Sequence, residues 1–315
     1  MKRLILLLMI FLDAACTAPE PPLRVGLLDW PPYGFARLAD RLGYYGAGRF
    51  EIVEFQSPAE VARAYRVGGL DIVAFTTDFA STLANDADKS LSFLIIDESV
   101  GADAAISRAP IPDLRDLAGK RVGLESNELG THMLGRMLDH ASLTLDDIHV
   151  EFYDMPDQLL AWQNNEVDVM ITYEPIRTKL LQSGGQQIFS SAELPGEVVD
   201  IFVAREATIQ RRLNDFRLFA AGWFKALDYY QQDSQQALAI LTEETQLSRA
   251  EFVMMLQGVR MIPLDENRRL LGGDNAAFIE ALSRFIAAGS AGTAQNARAT
   301  LPAMLSDIAL PLRTD

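Results

Sequence analysis

The chain has few of the residues that most often carry chemistry. Among its 315 residues are one cysteine, Cys16, and three histidines, His132, His140 and His149. A lone cysteine excludes a disulfide framework, and no two histidines stand at the spacing of a helical zinc site, so a protein-built metal centre is not expected. No Gly-x-Ser-x-Gly elbow offers a hydrolase nucleophile. Gly119-Lys120 lacks the glycine spacing and following hydroxyl of a phosphate loop. Gly43, Gly46 and Gly48 precede a strand, where a dinucleotide fingerprint would precede a helix. Positive charge is scarce too, with 28 Lys and Arg against 43 Asp and Glu for a net charge of −15. Nucleic acid and anionic lipid both require a basic face, so neither is expected as an electrostatic partner. These absences predict no catalytic residue, no cofactor and no metal.

Long apolar runs are also missing. Leu4 to Leu12 is about half of the roughly 20 residues that span a bilayer. Behind Lys2-Arg3 and ahead of Ala14-Ala15, that run reads as an export signal over residues 1–15. The segment resembles a bacterial lipoprotein signal, with Asp13 where such signals usually carry an aliphatic residue. The resemblance implies acylation of Cys16, a tether over residues 16–22 and a lipid anchor in a membrane. Either kind of export signal puts the folded part in the periplasm or cell envelope.

The remainder has an ordinary globular composition, 49% apolar and 23% charged, and its length suits two lobes better than one core. An internal repeat supports two lobes. Arg24-Val25-Gly26-Leu27 recurs as Arg121-Val122-Gly123-Leu124, Val53-Glu54-Phe55 as Val150-Glu151-Phe152, and Leu70-Asp71-Ile72 as Val167-Asp168-Val169. The offset is 97 residues each time, too long for a solenoid unit.

Apolar runs alternate with helical spacing. Leu23–Leu28, Glu51–Phe55 and Leu70–Phe75 read as strands, and Ser57-Pro58-Ala59-Glu60 opens a helix with a serine cap. This order predicts an α/β fold of two similar three-layer lobes with mixed, mainly parallel sheets. Beyond Arg205 the periodicity is helical; Phe216, Phe219, Trp223 and Phe224 form a stripe that reads as core. The expected domains are residues 23–104 plus 204–315 for lobe one and 105–203 for lobe two. Crossing strands near Gly101–Ser107 and Val199–Arg205 would serve as a hinge, and the helical tail would pack on lobe one.

Ligands of open α/β sheets sit beyond the carboxyl ends of the strands. In lobe one those positions are Asp29, Trp30, Tyr33, Thr76, Thr77 and Asp78. In lobe two they are Glu125, Ser126, Asn127, Tyr173 and Glu174. Asp103 and Asp200 lie on the crossing segments. The repeat pairs Thr76 with Tyr173 and Thr77 with Glu174. Thr76, Thr77, Ser126 and Asn127 stand at helix starts, where they could meet an anion or simply cap the helix. Acidic residues dominate these corners, which favours a ligand with an amine, a protonated heterocycle or both charges; Arg177, one turn into a helix, is the exception.

The motifs RVGLLDWPPYG, GGLDIVAFTTDFA, DLAGKRVGLESN, NNEVDVMITYEP and LPGEVVDIFVAR, in this order, resemble the solute-binding proteins of ABC importers for nitrate, sulfonates, taurine and thiamine pyrimidines. Tyr173 stands where that family often carries tryptophan. The resemblance implies a periplasmic-binding-protein type II fold, capture of a small organic solute by lobe closure, and delivery to an ABC permease in the inner membrane by a monomer. A sensor feeding a signalling partner, or a relative of the pyrimidine-forming enzymes, would share the fold.

Overall fold

Leu23–Leu28 (β1) and Arg121–Leu124 (β6) each begin a sheet in the computed structural model, which describes residues 20–77, 83, 88–243, 247–273, 275–289 and 304–311. Residues 1–15, read as an export signal, and Cys16 and Asp78 lie outside the described residues. The first sheet adds Phe50–Phe55 (β2), Ile72–Thr76 (β3), Ser90–Ser99 (β4), Val199–Arg205 (β10) and Val259–Met261 (β11). The second adds Ala104–Ser107 (β5), His149–Phe152 (β7), Val169–Thr172 (β8) and Gln186–Ser190 (β9). Their orders are β11-β4-β10-β3-β1-β2 and β7-β6-β8-β5-β9. The chain therefore passes between sheets at residues 100–103 and 191–198, with β5 and β10 each contained in one sheet.

The repeat survives as physics. Gly26 pairs with Val73, and Gly123 with Met170, at the same offset of 97. A Cβ on Gly26 would come within 2.5 Å of Leu70, and one on Gly123 within 2.9 Å of Val167, so the same strand glycine lets the same apolar side chain close over it in both lobes. The Asp71 carboxylate accepts the Arg24 N–H at 3.0 Å, and Asp168 accepts that of Arg121 at 2.9 Å.

One anchor slips. Val53 pairs with Gly26, but Gly123 pairs with Glu151, not Val150. A one-residue shift sends each side chain to the opposite face. Phe152 is consequently 60% exposed, and Tyr153 takes the place that Phe55 holds in the first lobe.

The sheets are mixed, yet parallel pairs do not dominate: four of the nine pairings are parallel, confined to β2-β1-β3 and β7-β6-β8. The strands flanking the crossings run back against their neighbours, which makes the other half of each sheet antiparallel.

Helices α1 (Gly34–Arg41), α2 (Pro58–Arg66), α3 (Glu128–Ala141), α4 (Met155–Gln163) and α5 (Ile176–Gln182) connect these strands. Ser57 caps α2 by accepting the Glu60 N–H at 3.3 Å, with Pro58 at the first position. The tail supplies α6 (Glu206–Arg211), α7 (Leu213–Gln232), α8 (Ser234–Leu241), α9 (Arg249–Leu256), α10 (Leu264–Leu271) and α11 (Ala276–Gly289). The aromatic stripe of α7 is core: Phe219 packs on Phe202 with ring centres 5.0 Å apart, and Phe216 on Phe93 at 5.0 Å. Each such ring removed from water contributes roughly 2–3 kcal/mol. The last helix bridges the lobes. Ile279 and Leu282 join the first-sheet core, while Phe285 sits edge-on to His132 of α3 at 4.5 Å. No helix among the described residues is long and apolar enough to cross a membrane.

Candidate functional site

A cavity of about 350 Å³ opens where the carboxyl ends of β1 and β3 face the corner that follows β6 and β8. Of the expected residues, Asp29, Trp30, Tyr33, Thr76, Asp103, Asn127, Tyr173 and Asp200 line it. Trp30 and Asn127 occupy equivalent places after β1 and β6, and Thr76 and Tyr173 equivalent places at β3 and β8. The walls meet across the cleft, with the edge of Trp30 against Tyr173 at 6.3 Å and an interplanar angle of 74°.

Four expected residues are turned elsewhere. Thr77 is buried directly after β3, and Ser126 is exposed in the loop ahead of α3. Glu125 lies beside the cavity, where it accepts the Tyr173 hydroxyl at 3.0 Å and the Asn127 amide at 2.8 Å. Glu174, preceding Pro175 through a cis peptide bond, points inward. It accepts Arg177 Nη1 at 2.9 Å, the Thr178 N–H at 3.1 Å and the Thr178 hydroxyl at 3.0 Å, and so caps and anchors α5.

The lining also contains residues that the sequence reading left out: Phe55, Gln56, Asp97, Ser99, Met155, Lys179 and Val198. Asp97 and Ser99 reach it because of a bulge. Asp200 pairs with Asp97 while Ile201 pairs with Ile95, which leaves Ile96 as an extra residue on β4. The bulge reverses the alternation, so Ile95 faces a separate cavity with Glu98 whereas Asp97 and Ser99 face the cleft.

Two aspartates thus stand side by side, Asp97 on β4 and Asp200 on β10, with Thr76 beyond Asp200 on β3. Like charges directly opposite one another on neighbouring strands destabilise a sheet. The Trp30 indole N–H reaches Asp97 Oδ2 at 3.4 Å. Burial holds the Asp97 carboxyl well above the usual range; the Trp30 hydrogen bond opposes this, and Asp103 and Glu98 add to it. Asp103 is pushed up to about 6, chiefly by burial, with a Ser99 hydrogen bond pulling the other way. The Tyr33 hydroxyl is raised by burial and by Asp200, to which it is hydrogen-bonded, and Tyr173 by burial and Glu125. Lys179, at the rim, is exposed.

Of the helix starts that line the cleft, those of α2 and α3 carry side-chain caps, whereas the N-cap residues of α4 and α5, Asp154 and Pro175, make no side-chain cap hydrogen bond. Asn127 Oδ1 accepts the Gly130 N–H at 2.7 Å, and Ser57 serves α2. Among the described residues no three His, Cys, Asp or Glu are grouped so as to hold a metal ion. The cleft can enclose a small flat molecule between aromatic walls and meet it with carboxylates and hydroxyls.

Known proteins share this fold. A putative aliphatic sulfonates-binding protein of Escherichia coli (strain K12) is 21% identical over 202 residues, and the match spans 63% of this chain and 63% of that relative. The alkanesulfonate-binding protein SsuA from Xanthomonas axonopodis pv. citri, solved bound to MOPS, superposes with a TM-score of 0.68 at 18% identity, covering 93% of this chain and 99% of that one. The desulfurization enzyme DSZB has the fold as well, with a TM-score of 0.63 at 13% identity over 85% of this chain and 92% of the enzyme. The architecture is the one periplasmic binding proteins share. The family described as NMT1/THI5 like matches residues 37–237, which run from α1 through both sheets into α8, and the chain belongs to that family.

Proposed function

We propose that this protein is an extracytoplasmic solute-binding protein. It captures a small organic solute, nitrogen-bearing or of the sulfonate type, by closure of its two lobes and delivers it to an ABC import permease. The observation that carries this reading is the cavity walled by both sheets, at strand ends that the two halves present in equivalent places. The two passages of chain between the sheets, at residues 100–103 and 191–198, supply a hinge. Closure then follows from a solute touching both walls, since only contacts better made in the closed state shift the equilibrium. The signal-like segment and Cys16 support export and a lipid anchor holding the protein near the permease.

The described lining of the cavity carries no histidine or cysteine, which favours binding over catalysis even though an enzyme shares the fold. The test is a thermal-shift screen of the chain from Ala18 onward against sulfonates, taurine, nitrate, aminopyrimidines and flavins. A true solute at about 100 times its Kd should add about 2.7 kcal/mol of stability. Turnover of a solute detected by mass, with no solute raising the melting point, would refute the reading.

A further inference from the structure

The described residues include seven buried acids, and the protein treats them in two ways. Glu98 is paired with Arg260, Glu174 with Arg177, Glu197 with Arg136 and Arg284, and Asp215 with Arg49 and Arg212. Each of these four carries its own guanidinium, the usual answer to the cost of burying a carboxylate. The other three, Asp97, Asp103 and Asp200, line the cleft, where Asp200 is hydrogen-bonded to the Tyr33 hydroxyl. There Asp97 is met by an indole N–H and Asp103 by the Ser99 hydroxyl. Asp103 Oδ2 is buried, has no hydrogen-bond partner and belongs to a side chain only 3% exposed. Arg177, already engaged by Glu174, acts on Asp103 only through space.

From this contrast we infer that the solute presents a positively charged nitrogen, an ammonium or amidinium, to Asp97 and Asp103 beside the rings of Trp30, Tyr33 and Tyr173. The solute supplies the cation that arginine supplies elsewhere. The aromatic lining fits an organic cation, since ring faces attract cations, and among the described residues no three His, Cys, Asp or Glu are grouped to hold a metal ion. A bare sulfonate finds a single cationic side chain in the described lining, Lys179, and that stands exposed at the rim. This inference rests on the solute-binding reading and narrows it.

The test uses matched probes on the purified mature protein: benzamidine against benzenesulfonate and choline against ethanesulfonate, by calorimetry and thermal shift. A cationic probe should bind at least ten-fold tighter than its sulfonate partner. That preference should fall at least ten-fold in Asp97→Asn and in Asp103→Asn, with both variants melting no lower than the parent. Tighter binding of the sulfonates, or cation binding untouched by both substitutions, overturns the inference. Failure of both cations while any sulfonate or neutral solute of the wider screen binds overturns it and leaves the solute-binding reading standing. Failure of every solute removes both.

Discussion

Asp103→Asn should stabilise the empty protein while removing part of its binding site. In the folded chain burial lifts this carboxyl from an ordinary 3.8 to about 6, Glu174 adding to the rise and Ser99 and Arg177 resisting it. A raised carboxyl pKa means that the folded state holds the proton more tightly than the unfolded state. Below about pH 4 both states are protonated and the group costs nothing. As pH rises toward 6 the unfolded chain loses its proton first, and stability falls; above 6 the full cost is present, roughly 3 kcal/mol for this difference in pKa. An asparagine cannot ionise, and its amide oxygen can still take the Ser99 hydroxyl. The variant should therefore gain about 1–3 kcal/mol at neutral pH, part of the full amount being lost to imperfect amide contacts. The gain should shrink toward zero near pH 4. Urea denaturation of parent and variant at the two pH values measures it; groups that do not sense Asp103 cancel in the difference, while Asp97, raised in part by Asp103, adds to the gain in the same direction. A variant less stable at neutral pH, or a difference that does not change with pH, would refute the reasoning and make Asp103 an ordinary structural acceptor.

The same carboxyl sets the direction of the binding profile. Affinity for a cationic solute should fall as pH drops below about 6, where Asp103 takes up a proton, and the Asp97 carboxyl, also raised by burial, acts in the same direction; calorimetry across that range checks this. Trp30→Ala should weaken solute binding at least ten-fold with a modest loss of stability, read by calorimetry and thermal melting together. Asp168→Ala should cost about 1–2 kcal/mol and Asp71→Ala about 1, because both accept an equivalent backbone N–H but Asp168 also holds the Arg121 side chain, as chemical denaturation would show. Glu197→Ala, which strips a buried acceptor from His132, Arg136 and Arg284 at once, should cost roughly 3–5 kcal/mol and expose α11 to faster hydrogen exchange.

Much of the lining of the candidate cleft was legible because the two halves repeat. The constant offset brought Trp30 and Asn127, and Thr76 and Tyr173, to matching corners, and the strand glycines and aspartates behind them make matching contacts. Where an element has no copy, the sequence offered no such guide. Asp97 and Ser99 sit on β4, and a pattern of alternation assigns them to the wrong face unless the extra residue Ile96 is known. Nor does position after a strand say which way a side chain turns. Glu174 follows β8 as Thr77 follows β3, yet it folds back on Arg177 and Thr178. Lys179 escaped notice because it enters the rim from α5, a turn beyond the strand end. The register slip at β7 has a similar root: the Val-Glu-Phe match was real in letters, but one extra residue before it rotated the strand against its neighbour.

The proposed function requires a solute to be held between the lobes at Trp30. Of the three tryptophans, Trp162 belongs to the second lobe's core and Trp223 to the first, and Trp30 alone lines the cleft. A solute that raises the melting point should change the intrinsic tryptophan emission saturably, with one-to-one stoichiometry, and the change should vanish in Trp30→Phe. A solute that stabilises the protein yet leaves Trp30 emission unaltered would place the binding site elsewhere and contradict the account.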